Sequence, residues 1–495
     1  MTRDATVPAV PARPGRRRWI ALVVLCVGQL MIALDATVVN VALPSIQREL
    51  HFSQASLAWV INGYLLTFGG LLLLAGRVGD LLGRAQVFLT GLAAFVLSSV
   101  LCGLAPTAGV LVLARFVQGA GAAMVAAMVL GIITPMFPRP RERTTALSIF
   151  AFVAVGGQTL GLVLGGTLTQ ALSWHWIFFI NVPFGAAALL LASRLLPRLP
   201  GLGIRAGADL LGALLVTMAP VLAVYGLINA GDHGWGSTTT LVSLPGSVIL
   251  ALAFVQVERR VATPLVPLAI FRHHGLVTST TIRTLFPMGG FSFQFLGVLY
   301  LQKVLGYTPL QTGLAFLPGS ITTGLISLTM LPWLIRRFGM RALILTGLVG
   351  ITAGLLWFAP VPVHGSFWLN VLPAMLLTGS GFGIVFMPSV AIAMSDVDHS
   401  ETGLASGLTN VAPQIGASIA VAALATLSAA RTNHLLARHE AERVALSAGY
   451  RLGLIVGVGC TAVALVVAAI LLRSRQPTAA PSSAEAIETS ALISH

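Results

Sequence analysis

Charged residues are scarce in this chain. Only 9% of its 495 residues are charged, against roughly 25% in a typical soluble globular protein. In contrast, 56% of the residues are hydrophobic, and the mean hydropathy is +0.91. This composition excludes an ordinary soluble domain and predicts a membrane protein that crosses the bilayer several times.

Cysteine and lysine are also rare. The three cysteines, Cys26, Cys102 and Cys460, all fall in apolar runs without metal-ligand spacing, so neither a disulfide framework nor a zinc site is expected. Lys303 is the one lysine in the chain, and this skew toward arginine is typical of a GC-rich bacterial genome. The sequence lacks the G-x-x-x-x-G-K-[ST] phosphate loop, and nothing in it argues for an ATPase or another enzyme.

The basic residues show how the chain crosses the membrane. Fourteen apolar segments have spanning length, and most of the 29 basic residues fall in the loops on one side of them. This asymmetry obeys the positive-inside rule and predicts that both termini are cytoplasmic. The net charge of +14 does not predict nucleic-acid binding, because the arginines form no continuous patch.

One stretch places an acid inside a predicted span. The apolar run that begins at Trp19 contains Asp35, within the segment LDATVVNVALP (34–44). A carboxylate in hydrocarbon is costly, so such a residue is usually paired, faces a water-filled cavity or takes up a proton. The alternative interpretation is that Asp35 caps a broken helix or marks the helix end.

A base lies at a matching depth in another predicted span. The segment LVLARFVQGAGAA (111–123) carries Arg115, about 9 Å from the outer end of its helix, and Asp35 lies about 9–12 Å from the outer end of its own. The two side chains are therefore expected to pair, directly or through water, which lowers the cost of both charges. Gln118, one turn further along, can join them. A purely structural pair is the alternative interpretation.

Glycines mark two further segments. The segment GRVGDLLGR (76–84) follows the second predicted span; its glycines permit a tight turn, and Asp80 can accept hydrogen bonds from a helix N-terminus or an arginine. An ordinary topogenic loop is the alternative. In GQTLGLVLGGTL (157–168) the glycine spacing favours close helix packing. The glycines of this second segment are Gly157, Gly161, Gly165 and Gly166.

Taken in order, these four stretches resemble the motifs of the fourteen-helix drug:proton antiporters of the major facilitator superfamily. The resemblance extends to WHWIFFINVPFG (174–185), ERRVATPLVPLAIFR (258–272) and GLASGLTNVAPQIG (403–416), and so spans nearly the whole chain. The sequence departs from the family pattern at Leu81, where a basic residue is usual, at Leu162, where the exporter motif usually has proline, and at His175, where arginine is usual.

The resemblance implies an all-α polytopic membrane protein with the major facilitator fold, in which two six-helix halves flank two inserted helices. The parts expected are a basic N-tail (1–18), a first half (19–196), linkers with the inserted helices (197–275), a second half (276–472) and a disordered tail (473–495). It also implies a monomer in the bacterial cytoplasmic membrane, in contact with lipid.

The implied function is export of small amphipathic drugs or antibiotics in exchange for protons, with the proton gradient in place of a cofactor. Asp35 would couple to the proton with Arg115 as its partner, and Gly76, Asp80, Gly83 and Arg84 would form a gating loop. The alternatives are proton-driven uptake of a metabolite and a non-transporting receptor or scaffold. The candidate polar groups of a substrate cavity are Gln29, Asn40, Gln118, Gln158, Arg283, Gln294, Asn410 and Gln414.

Arg283 carries a further expectation about the substrate. It lies about 10 Å into the first helix of the predicted second half, and no second acid lies in a predicted span to pair with it. One expectation is that its side chain reaches back to the lipid headgroups. The other is that it faces the cavity, which would then favour neutral or acidic substrates over dications.

Overall fold

The computed structural model describes residues 15–197, 201–203, 209–261, 263–398 and 401–473. Within these ranges the chain is almost entirely α-helical and contains no strand. Most of the predicted N-tail and nearly all of the predicted C-terminal tail lie outside the described residues. The long helices are α1 Gly15–Glu49, α2 Trp59–Leu82, α3 Arg84–Gly103, α4 Ala108–Met136, α5 Pro140–Ala171, α6 Trp176–Leu195, α7 Leu210–His233, α8 Thr238–Glu258, α9 His274–Val304, α10 Pro309–Leu325, α11 Leu331–Phe358, α12 Phe367–Met394, α13 Thr402–Leu436 and α14 Glu442–Arg473.

Thirteen segments of the described chain are long and apolar enough to cross a membrane. One of them, Pro309–Phe358, contains 50 residues and joins α10 to α11 through a π-helical turn. A helix of that length would be about 75 Å long, more than twice the hydrocarbon thickness. Gly339 breaks it with φ +77°, so the segment consists of two helical pieces that meet at this residue. The count of fourteen requires this segment to cross twice, and that count stays a prediction.

The helices form two groups with α7 and α8 at their side. Helices α1–α6 pack on one another, and so do α9–α14. Helix α7 contacts α2 in the first group and α13 in the second, whereas α8 packs mainly on α7. Only 17% of the most apolar 18-residue stretch of α8 is buried. This helix therefore presents most of its apolar surface outward.

Small residues bring α5 against α1. A Cβ atom on Gly161 would lie 2.8 Å from the Leu34 carbonyl oxygen, and one on Gly165 would lie 2.5 Å from the Val38 carbonyl oxygen. Gly157 meets α1 in the same way, near Ala33. Gly166 differs, because it faces α10 at Pro309. The glycine row therefore joins α5 to both groups of helices.

The two groups are closed against each other at one end. We call the end where α1 begins the inner end and the opposite end the outer end. At the outer end, the Gln302 amide donates to the Val41 carbonyl at 2.8 Å, and Lys303 donates to the side chain of Gln47. Nearby, the Leu310 amide nitrogen donates to Gln170 at 3.2 Å. These polar contacts all cross from the first group to the second.

Candidate functional site

The acid predicted from the sequence lies at the centre of a buried polar network. Helix α1 carries Asp35, which is 0% exposed, and helix α4 carries Arg115, which is 2% exposed. The guanidinium donates to one carboxylate oxygen of Asp35. The other oxygen accepts from the Gln118 amide at 2.9 Å and from Asn181 at 3.4 Å. The predicted pair is therefore direct, and both carboxylate oxygens have partners.

Three further contacts fix the guanidinium of Arg115. Its Nε donates to the Val60 carbonyl of α2 at 2.9 Å, and Nη1 also donates to Gln118 Oε1 at 2.7 Å. The Cζ atom lies 4.5 Å from the ring centre of Tyr64, within the range of a cation–π contact. Gly63 of α2 packs against the base of this side chain, because a Cβ on Gly63 would lie 3.4 Å from Arg115 Cβ.

Burial of this pair has an energetic consequence. Desolvating two charges costs several kcal/mol per ion, and their attraction offsets this only with good geometry and extra hydrogen bonds. Both conditions hold for Asp35 and Arg115. Protonating Asp35 would leave the guanidinium as a buried cation without its counter-charge. Uptake of a proton therefore requires Arg115 to move or water to enter, which links the charge of Asp35 to the packing of α1 against α4.

The sequence did not identify two members of the network. Asn181 lies near the start of α6. Ser99 of α3 accepts a hydrogen bond from Gln118 at 2.9 Å. Both are buried. Asn181 is a polar residue within an apolar run that resembles a family motif, and this signal could have identified it. Ser99 gave no such signal, since a lone serine in a membrane helix usually bonds to its own backbone.

Gln118 and Asn40 were expected to line a cavity, and the structure places them elsewhere. Gln118 is 0% exposed and belongs to the Asp35 network. Asn40 is 4% exposed, and its amide donates to the Ala36 and Thr37 carbonyls of its own helix. The reason is the same in both cases, since a buried amide must find partners within the protein.

Arg283 is neither at the headgroups nor in an open cavity. It is 1% exposed and lies in α9, facing α12 and α13. Its Nε donates to the Thr409 carbonyl at 2.8 Å, and Nη1 donates to Ser389 Oγ at 3.2 Å. The Cζ atom lies 4.6 Å from the Phe386 ring centre. The guanidinium of Arg283 is thus stabilised by oxygen atoms and an aromatic ring instead of a carboxylate. The sequence could not show these partners.

The remaining candidate cavity residues lie in less buried positions. Gln158 and Asn410 are exposed, although each lies in the interior of a long apolar helix. Gln29, Gln294 and Gln414 are partly buried. Gln414 packs on α2, where a Cβ on Gly69 would lie 2.9 Å from its own Cβ.

The predicted gating loop is mostly helical. Helix α2 continues through Leu82, so Gly76 and Asp80 lie on its last turns and only Gly83 is non-helical, with φ +101°. Asp80 accepts from Arg84 at 3.1 Å, and Arg84 also donates to the Gly131 carbonyl of α4 at 2.8 Å. These contacts tie α2, α3 and α4 together within the first group of helices.

Comparisons with known proteins agree on one family. The model of the Major Facilitator Superfamily matches residues 25–421. The puromycin resistance protein of Streptomyces alboniger is 38% identical over 491 residues, covering 97% of each chain. The cephamycin export protein of Amycolatopsis lactamdurans is 37% identical over 83% of this chain and 85% of its own.

Solved structures show the same fold at much lower identity. A POT family transporter has a TM-score of 0.67 at 14% identity, over 93% of this chain and 98% of its own. A bacterial homologue of the human lysosomal transporter Spinster has a TM-score of 0.63 at 15% identity, over 94% of this chain and 100% of its own.

Proposed function

The chain belongs to the Major Facilitator Superfamily, and on that premise we propose that it exports small amphipathic drugs or antibiotics across the bacterial cytoplasmic membrane in exchange for protons. Its relatives are named as antibiotic resistance and export proteins. The compounds in those names differ widely in structure, so the export of a drug is a closer match than the uptake of one metabolite.

The observation that supports proton coupling is the burial of Asp35 with Arg115. Among the described residues, Asp35 is the one acid deep inside a membrane-spanning helix. Its two carboxyl oxygens accept hydrogen bonds from three side chains. Protonation of Asp35 would remove its ion pair with Arg115. A proton that binds there therefore changes which arrangement of α1 and α4 has the lower free energy.

The polar contacts at the outer end support the assignment of this structure to a state of the transport cycle that is closed to the outside. With Asp35 charged and paired, the outer contacts between Gln47 and Lys303 hold the two halves together. The proton enters from outside after the outer end opens, and it leaves toward the cytoplasm before the pair forms again. Drug and proton thus occupy the protein in alternation, which is the condition for exchange.

The test removes the charge of Asp35 and keeps its shape. Asp35→Asn in inside-out vesicles should abolish export driven by a pH gradient by at least 100-fold, because the amide cannot take up a proton. Counterflow of substrate without a gradient should persist, which shows that the variant folds. Asp35→Glu serves as the matched control and should retain part of the activity.

Two outcomes would contradict the proposal. Wild-type export rates for Asp35→Asn under a pH gradient would show that the proton binds elsewhere. Accumulation of drug in energised cells, abolished by a protonophore, would show that the protein takes compounds up.

A further inference from the structure

We infer that the substrate site is a central space lined by side-chain amides without free charge, and that the transported compound is uncharged and rich in hydrogen-bonding groups. This inference rests on the proposed export function and specifies its substrate class. The faces of α1, α5 and α13 and the placement of the intramembrane charges support it.

The first amide lies on the face of α1 that points to the second half. Gln47 lies on this face, because it contacts Lys303 of α9. Gln29 precedes Gln47 by about five helical turns and therefore points the same way. Gln29 is partly buried and lies deeper in the span. Below the closed outer end, α1 thus presents a side-chain amide toward the second half.

The second amide lies on α5, between its contacts with the two halves. Gly157 and Gly161 face α1, whereas Gly166 faces Pro309 of α10. At about 100° per residue, Gln158 points between these two directions. Its side chain is exposed, and α1 and α10 flank it. It therefore faces the space between the halves and not the lipid.

The third amide lies on α13 in a similar position. Gly407 and Gln414 face α2, and Gly416 faces Thr284 of α9. Asn410 is exposed and lies between these directions on the flank away from α7, about 160° from Thr426, which donates to the Leu227 carbonyl of α7. It belongs to the second half, opposite the α1 and α5 amides of the first half.

The charged side chains inside the membrane-spanning helices are buried away from this space. Asp35, Arg115 and Arg283 are 0%, 2% and 1% exposed, respectively. Each has partners in the protein, and the guanidinium of Arg283 bonds to carbonyl and hydroxyl oxygens on α12 and α13. A charged compound in the central space would therefore lose its hydration without gaining a counter-charge, which is costly. An uncharged compound would replace its hydrogen bonds to water with hydrogen bonds to the side-chain amides.

Equilibrium binding to the purified full-length protein tests the inference without requiring transport. The probes are the neutral compounds chloramphenicol and linezolid, the cations ethidium and tetraphenylphosphonium, and the anion benzylpenicillin. At least one neutral probe should bind at least tenfold more tightly than every charged one. Gln158→Leu and Asn410→Leu should each weaken its binding about tenfold. Asn433→Leu, at the outer end of α13, is the matched control and should leave the affinity unchanged.

A charge added to the site gives the opposite readout. Gln158→Glu should increase ethidium binding at least tenfold, because the carboxylate supplies the missing counter-charge. The inference is overturned if a charged probe binds as tightly as every neutral one, or if Gln158→Glu leaves cation binding unchanged. Neutral binding that persists while a pH gradient drives no export would instead refute the proposed function and leave the site assignment standing.

Discussion

At the scale of single residues, the Asp35–Arg115 pair shows how a membrane protein tolerates buried charge. Both carboxyl oxygens of Asp35 and two nitrogen atoms of Arg115 have hydrogen-bond partners, and both side chains are almost completely buried. Removing one partner from a buried pair costs about 3–5 kcal/mol, whereas replacing both with neutral groups is often tolerated. The pair is therefore expected to influence stability and coupling in different ways.

This difference leads to a double-substitution prediction. Arg115→Gln should lower the thermal midpoint of the purified protein, because it leaves Asp35 without its counter-charge. The double variant Asp35→Asn/Arg115→Gln should recover most of the lost stability but no proton-driven export. Arg48→Gln, at an exposed position, is the control and should change stability by less than about 0.5 kcal/mol. A double variant less stable than Arg115→Gln would contradict the account.

At the scale of helices, the contact between α1 and α5 depends on the absence of side chains. A Cβ on Gly165 would lie 2.5 Å from the Val38 carbonyl oxygen, whereas nothing lies within 4 Å of a Cβ on Gly156. The two glycines lie on one helix and differ mainly in this respect. They therefore form a matched pair for measuring close packing.

The corresponding prediction compares two alanine substitutions. Gly165→Ala should destabilise the protein by about 1–3 kcal/mol, because α5 must move away from α1. Gly156→Ala should be neutral or stabilising by up to about 1 kcal/mol, because alanine favours the helix more than glycine does. Thermal unfolding of the two purified variants is the measurement. Equal midpoints would show that α1 and α5 do not pack as closely as described.

At the scale of the whole molecule, closure of the outer end can be followed through one side chain. Lys303 is the only lysine of the sequence, and its ammonium lies in the outer contact between the halves, where it donates to Gln47. An amine-reactive reagent that cannot cross the membrane therefore has one side-chain target. Its reaction rate reports how often the outer end opens.

We expect slow labelling of Lys303 in the state described here and faster labelling when the contact is weakened. Gln47→Ala should raise the rate several-fold, because it removes the acceptor that holds the ammonium. Lys303→Arg is the control and should abolish labelling from outside. A rate that is fast in the wild type and unchanged in Gln47→Ala would show that this contact does not close the outer end.

The sequence by itself determined that most of the chain forms apolar helices long enough to span a membrane, although the count of fourteen stays a prediction. It also predicted that Asp35 and Arg115 pair, directly or through water. Both follow from local physics, since apolar length reports a spanning helix and the cost of a charge in hydrocarbon demands a partner at similar depth. The motif resemblance supplied the family, and the comparisons confirmed it. It also led to the expectation of a loop at 76–84, most of which is helical in the structure.

Only the tertiary structure decided which way each polar side chain faces. Gln118 and Gln158 look alike in the sequence, yet Gln118 is buried in the Asp35 network and Gln158 is exposed. Arg283 donates hydrogen bonds to carbonyl oxygens on α12 and α13, and not to a carboxylate. The physical reason is that the rotation of a membrane helix about its own axis is set by packing against its neighbours, and those neighbours are far away in the sequence.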